Sequence, residues 1–198
     1  MASARPDNSL VTVVSGLPRS GTSLMMQMLA SGGMPVLADA LRPPDEDNPR
    51  GYFELDDVKR SGQRTDWLNQ AAGKAVKVIH LLLPRLPVSQ ALRYQVILVR
   101  RDVREVLASQ AKMLQRQGRA GAALPPEQLA GLYEQQLAAC TRWMAEHPER
   151  FRVLEVRYAD LISRPAASAA EVNLFLGGKL DEKAMEAAVD PALYRNRA

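Results

Sequence analysis

Residues 11–29, VTVVSGLPRSGTSLMMQML, confine this chain to a narrow set of folds. An apolar β-branched run, 11–14, passes through a turn holding Gly16 and Gly21 into an apolar helical stretch. Strand, glycine turn and helix in that order make a phosphate-binding loop. Backbone N–H groups converge on an anion, and the helix N-terminus adds the positive end of its dipole. The spacing nearly fits G-x-x-x-x-G-K-[ST], with Gly16, Gly21 and Ser23 in place. The lysine position instead holds Thr22, and the cation of the loop is Arg19. Ordinary magnesium–triphosphate chemistry sets that lysine against the β- and γ-phosphates, so its replacement argues for a different anion.

Further along, short apolar runs at 75–79, 95–99 and 152–156, with a shorter one at 35–37, alternate with helical patterns. The helical patterns fall near 22–31, 54–70, 102–117, 127–146, 166–176 and 181–188. Continuous apolar strands separated by helices predict an α/β fold, a three-layer α/β/α sandwich around a central parallel sheet of the nucleotide-binding type. Right-handed crossovers then make it doubly wound, with ligands at the carboxyl ends of the strands. A length of 198 residues suits one domain, 1–198.

Composition narrows the partners. Hydrophobic residues make up 46% and charged residues 24%, and the net charge is only +4. A nucleic-acid-binding surface is usually more basic, whereas here Arg100, Arg101 and Arg104 are clustered, which favours a local anion site. Cys140 is the only cysteine, so no internal disulfide forms, and a reducing compartment is expected. Residues 1–9 are polar and the following apolar run is short and broken by Gly16 and Pro18, unlike a secretory signal. No stretch approaches the roughly 18 apolar residues of a membrane span. The expectation is a cytoplasmic protein without membrane or nucleic-acid partners. No His/Cys/carboxylate spacing fits a metal, so none is predicted.

Two more segments carry chemistry. In VILVRRDVREVLASQAKML, residues 96–114, Arg101 opens a helix and Ser109 follows eight residues later, a little over two turns. An arginine and a hydroxyl on one helix face can hold a phosphate monoester; the plainer alternative is a solvated, salt-bridged helix. In VLEVRYADLISRPAASAAEVNLFLGG, residues 153–178, a strand meets a tight turn at 157–160 and then an amphipathic helix. Tyr158 stands at the strand's carboxyl end, where a ring can border a nucleotide base or simply pack. The breaker-rich loops 39–51 and 117–126 are either lids over a site or solvated connectors. Met25, Met26 and Met28 read as packing, His147 as a helix-end cation and Lys112 as a solvated charge within reach of the site.

Together the three segments resemble the sulfotransferase superfamily. PRSGTS, residues 18–23, is similar to that family's loop for a 5′-phosphosulfate, in the form found in its bacterial and tyrosylprotein branches. RDVREVLAS, residues 101–109, resembles its 3′-phosphate motif, and RYADLISRP followed by FLGG resembles its YEDL…P…FLG segment. The resemblance implies an α/β sandwich with a central parallel sheet. It also implies transfer of a sulfonate from 3′-phosphoadenosine 5′-phosphosulfate (PAPS) to a hydroxyl or amine, releasing 3′-phosphoadenosine 5′-phosphate, without a metal. Pro18, Arg19, Ser20, Gly21, Thr22 and Ser23 would then surround the 5′-phosphate, with Arg19 stabilising the leaving oxygen. Arg101 and Ser109 would hold the 3′-phosphate, Arg195 would add to that site, and Tyr158 would flank the adenine. The acceptor is an unidentified partner, in an open cleft formed by the two loops.

The base that takes the acceptor's proton has three candidates. His80 follows the 75–79 run, three residues after Lys77. Strand residues alternate faces, so that odd spacing sends the two to opposite sides unless the strand ends between them. Glu54 and Asp39 flank the proline-rich loop and offer carboxylates. Two other functions stay open. One is a nucleotide kinase or phosphotransferase with an altered loop, using Asp102 on magnesium. The other is a non-catalytic module that binds the nucleotide.

Overall fold

The computed structural model describes residues 9–39, 43, 45, 48, 51–59, 66–88, 92–121 and 123–193. Five strands form one parallel sheet: β1 (Leu10–Gly16), β2 (Val36–Leu37), β3 (Ala75–Lys77), β4 (Arg93–Arg100) and β5 (Phe151–Arg157), in the order β2-β3-β1-β4-β5. Around it lie α1 (Thr22–Ser31), α2 (Asp56–Lys59), α3 (Leu68–Ala71), α4 (Val103–Arg116), α5 (Pro126–Ala145), α6 (Tyr158–Ser163), α7 (Pro165–Phe175) and α8 (Glu182–Ala187). The expected α/β sandwich with a parallel central sheet is what the chain forms.

Alternation along the strands divides the core into two layers. On β4, Tyr94, Val96 and Leu98 face one side with Val11, Val13, Cys140, Met144 and Phe151, beneath α3 and α5. Ile97 and Val99 face the other with Val14, Val156, Met25, Met28 and Val172, beneath α1 and α7. Burial on both faces explains why these strands read as unbroken apolar runs. Each fully buried Val, Leu or Ile contributes roughly 1.5–3 kcal/mol. A smaller cluster of Leu17, Val106 and Leu137 seats α4 against α5 and the loop after β1.

The chain leaves β1 toward β2 and β3 and leaves β4 toward β5, so the direction of winding reverses between β1 and β4. Their ends are paired, Gly16 opposite Val99, which opens a crevice at the carboxyl edge of the sheet. A side chain on Gly16 would lie 2.5 Å from Ser20 Oγ and 2.6 Å from the Val99 carbonyl oxygen. The crevice therefore depends on the missing Cβ.

Several local expectations shift. The helix at 22–31 has the expected bounds. Instead of one helix over 54–70, the described residues form two four-residue helices, α2 and α3, with 60–65 outside the described residues. α2 starts at Asp56, whose N–H donates to Asp39 Oδ2 at 2.6 Å, a carboxylate satisfying an orphan helix donor. The expected strand 75–79 ends at Lys77, and a 3₁₀ helix, His80–Arg85, follows. The tight turn at 157–160 is the first turn of α6, with Asp160 taking charged hydrogen bonds from Arg157 and Arg164, both at 2.7 Å. Among the described residues no helix is long and apolar enough to cross a membrane.

Candidate active site

The loop after β1 wraps the N-terminus of α1. The Ser20 N–H closes a turn onto the Leu17 carbonyl at 3.1 Å. The amides of Gly21, Thr22 and Ser23 stand at the head of the helix, where the intrahelical ladder offers no acceptors. Gly21 has φ +105°, and a Cβ there would be driven into the Tyr158 ring. Arg19 is left-handed at φ +72°, a strained conformation for a residue with a side chain, costing on the order of 1–2 kcal/mol. Two contacts from the β4–α4 segment hold it. Arg101 Nη1 donates to the Arg19 carbonyl at 3.1 Å, and Arg19 Nε donates to Ser109 Oγ at 3.0 Å.

Arg101 itself is nearly buried. Its Nε donates to Glu105 Oε2 at 2.8 Å, and its guanidinium carbon lies 4.4 Å from the centre of the Tyr158 ring. Burial raises the Tyr158 hydroxyl's pKa, opposed by Arg101 and, more weakly, by Arg19, while Glu105 adds to the rise. Tyr158 thus packs against Gly21 and Arg101 at the cleft wall. Asp102 caps α4, accepting from the N–H groups of Arg104 at 2.8 Å and Glu105 at 3.3 Å. It is exposed and off the cleft wall, so it contributes no magnesium ligand there.

A cleft of about 440 Å³ opens over the loop. Pro18, Arg19, Gly21, Thr22 and Ser23 line it, with Arg101, Ser109 and Tyr158 on the α4 side and Asn48, Tyr52, Glu54 and Lys77 on the other. Ser20 turns inward and is buried, its hydroxyl without a hydrogen-bond partner. Lys77 is the residue whose placement the sequence left undecided. As the last residue of β3 it reaches Ser23 Oγ at 3.1 Å and the Tyr52 carbonyl at 2.9 Å. Ser23 Oγ also accepts from Asn48 Nδ2 at 2.8 Å. The Tyr52 hydroxyl donates to Asp45, 2.6 Å from its nearer oxygen, tying the described part of the 39–51 loop to this wall.

The Asp39 N–H donates to the Glu54 carbonyl at 2.8 Å, so these two candidate bases are neighbours, yet only one of the three candidates lines the cleft. Glu54 lines the cleft, while Asp39 lies off its wall and caps α2. His80 is 2% exposed and pairs through Nε2 with Gln136 Oε1 at 3.0 Å, beneath α5. β3 ends at Lys77, so strand alternation does not extend to His80; the 3₁₀ turn carries His80 beneath α5 while Lys77 stays on the cleft. Arg195 lies outside the described residues. None of the described residues of 117–126 lines the cleft, whose α4 wall ends with Lys112, Met113 and Arg116. Among the described residues no group of three or more His, Cys, Asp or Glu side chains is arranged for a metal. Lys77 could have been found from its place at a strand tip beside β1. Asn48 and Tyr52 carry no local motif, because only the folding back of the 39–51 loop brings them to Ser23.

The fold recurs in solved structures. A sulfotransferase from Mycobacterium tuberculosis H37Rv is 20% identical, with a TM-score of 0.60 over 94% of this chain and 73% of that one. The sulfotransferase domain of the Synechococcus PCC 7002 olefin synthase is 18% identical, with a TM-score of 0.54 over 96% and 88%. A sulfotransferase from Alicyclobacillus acidocaldarius is 16% identical, with a TM-score of 0.52 over 96% and 89%. No match is found among curated proteins. The sulfotransferase domain family matches residues 11–196, a span that holds the glycine loop after β1, the Arg101–Ser109 helix and the Tyr158 segment in order, and the chain belongs to that family.

Proposed function

We propose that this protein transfers a sulfonate group from PAPS to a hydroxyl or amine acceptor. The observation that carries this reading is the Arg19–Ser109 hydrogen bond at 3.0 Å. It joins the loop after β1 to α4, so a 5′-phosphosulfate and a 3′-phosphate can be held on adjoining walls of one cleft. The residues present suit the nucleotide. Helix-heading amides and Arg19 meet the 5′-end, Arg101 and Ser109 meet the 3′-phosphate, and Gly21 lets backbone and ring close together.

Transfer forms a bond from the acceptor oxygen or nitrogen to sulfur. It breaks the bond from sulfur to the 5′-phosphate oxygen and releases 3′-phosphoadenosine 5′-phosphate. Arg19 and Lys77 offset the charge that develops on the leaving oxygen, the role a preorganised cation fills without a metal. Glu54, the one candidate base on the cleft wall, takes the acceptor's proton.

The test is nucleotide product formation from PAPS with a panel of phenols, alcohols and amines, read by chromatography. Acceptor-dependent release of the bisphosphate, lost in Arg19→Ala, is expected. Tight bisphosphate binding without turnover on any acceptor would favour a non-catalytic nucleotide module.

A further inference from the structure

Arg101 has a partner that the nucleotide does not need to touch. Glu105, one helical turn along α4, holds Arg101 Nε at 2.8 Å, and the two side chains are 8% and 9% exposed. Arg101 and Ser109 line the cleft, whereas Glu105 lies off its wall, behind the guanidinium. The same guanidinium is fixed from two further directions, by the Tyr158 ring at 4.4 Å and by the Arg19 carbonyl on Nη1 at 3.1 Å.

A guanidinium can present an oxyanion with either its Nε–Nη edge or its Nη–Nη edge, and the two edges point in different directions. With Glu105 on Nε, the Nε–Nη edge is occupied, and an anion in the cleft meets the guanidinium through its Nη groups, of which Nη1 also holds the Arg19 carbonyl. A buried carboxylate is costly to keep near an anion site unless it is paired and hydrogen-bonded. Here the pairing is what fixes the edge presented. Resting on the nucleotide assignment above, we propose that Glu105 is a positioning residue. By locking the Nε edge of Arg101, it makes the site select nucleotides that carry a 3′-phosphate as well as a 5′-phosphate.

The experiment titrates the full chain with 3′-phosphoadenosine 5′-phosphate and with adenosine 5′-phosphate, and reads the ratio of the adenosine 5′-phosphate dissociation constant to that of the bisphosphate. Glu105→Met, which keeps length and helix propensity but removes the acceptor, is expected to lower that ratio about tenfold. Glu105→Gln keeps an acceptor oxygen on Nε and is expected to hold the ratio within about threefold of wild type. An unchanged ratio in Glu105→Met, with both ligands weakened alike, would mean that Glu105 only supports α4 and overturns the proposal. Tighter bisphosphate binding in both variants would make Glu105 a competitor of the phosphate and overturn it as well.

Should Glu105→Met fail to fold, Glu105→Asp decides. Retracting the carboxylate by one methylene is expected to lower the ratio by about threefold or more, and an unchanged ratio counts against the proposal. A wild-type protein that binds the two nucleotides equally would refute the nucleotide assignment itself, a result separate from any effect of Glu105.

Discussion

Lys77 Nζ stands 3.1 Å from Ser23 Oγ, joining the tip of β3 to the first turn of α1 across the floor of the cleft. The same ammonium group reaches the Tyr52 carbonyl at 2.9 Å, so one cation links the sheet, the anion loop and the segment that returns from the proline-rich loop. Its target, Ser23 Oγ, also receives the Asn48 amide. This wall supplies positive charge where the altered loop motif lacks its lysine.

Lys77→Met is expected to lower the single-turnover rate of sulfonate transfer about a hundredfold or more. Nucleotide affinity should stay within about threefold, because the amides and Arg101 remain. Comparable losses in rate and in bisphosphate affinity would reassign Lys77 to ground-state binding.

Two of the candidate bases, Glu54 and His80, have opposite expectations. Glu54→Gln should reduce kcat by roughly 10²–10⁴ with little change in thermal midpoint, since it removes a proton acceptor on the cleft wall. His80→Leu should instead lower stability while leaving most of the activity, because His80 is buried on Gln136. Turnover lost in Glu54→Gln with bisphosphate affinity and thermal midpoint unchanged would support the assignment. The reverse pattern, with activity lost in the His80 variant at unchanged stability, would contradict it.

Gly21 and Gly33 make a matched pair for measuring the loop. Both have positive φ, +105° and +91°, but a Cβ on Gly33 meets nothing within 4 Å whereas one on Gly21 enters the Tyr158 ring. Gly33→Ala should cost about 1 kcal/mol, the strain of a left-handed alanine. Gly21→Ala should cost at least about 1–2 kcal/mol more and weaken bisphosphate binding, as Tyr158 and then Arg101 give way. Equal denaturant midpoints for the two variants would show that the ring contact is without energetic weight.

Much of this framework was legible in the chain because β1 and β4, interior strands of the sheet, are buried on both faces. The runs at 11–14 and 95–99 carry too many β-branched and apolar residues for a half-exposed element, and β1 and β4 contain them; the 152–156 run lies in β5, where Val156 is buried but Arg152, Val153 and Glu155 are exposed. The residues expected at the anion loop line the cleft, apart from the inward-turned Ser20, because strand, glycine and helix fix their placement within a few residues. Elements set by long-range contacts were less legible. α2 begins where Asp39 caps it from 17 residues away, and β3 ends where the 3₁₀ turn packs His80 against α5. The joining of Asn48, Tyr52 and Lys77 around Ser23 spans 54 residues of chain, so no local pattern announces it.

Cys140 offers a pH-dependent check on the core. Burial pushes its thiol up to about 11 from 9.0, partly opposed by the Arg100 charge. The folded state therefore favours the neutral thiol. That contribution to stability is complete below about pH 9 and is lost as pH rises toward about 11. Wild type should lose stability more steeply than Cys140→Ala over that interval, and alkylation of the native thiol at neutral pH should be slow. Since the chain has one cysteine, the modification reads a single site. Rapid alkylation of folded protein at neutral pH would contradict the buried placement.

Calorimetric titration with 3′-phosphoadenosine 5′-phosphate, beside ATP with magnesium, tests the central claim most directly. A cleft built from helix-heading amides, Arg19, and the Arg101–Ser109 pair is predicted to bind the bisphosphate tightly and without magnesium, and ATP weakly. Magnesium-dependent ATP binding stronger than bisphosphate binding would contradict the account and assign the altered loop to phosphoryl chemistry.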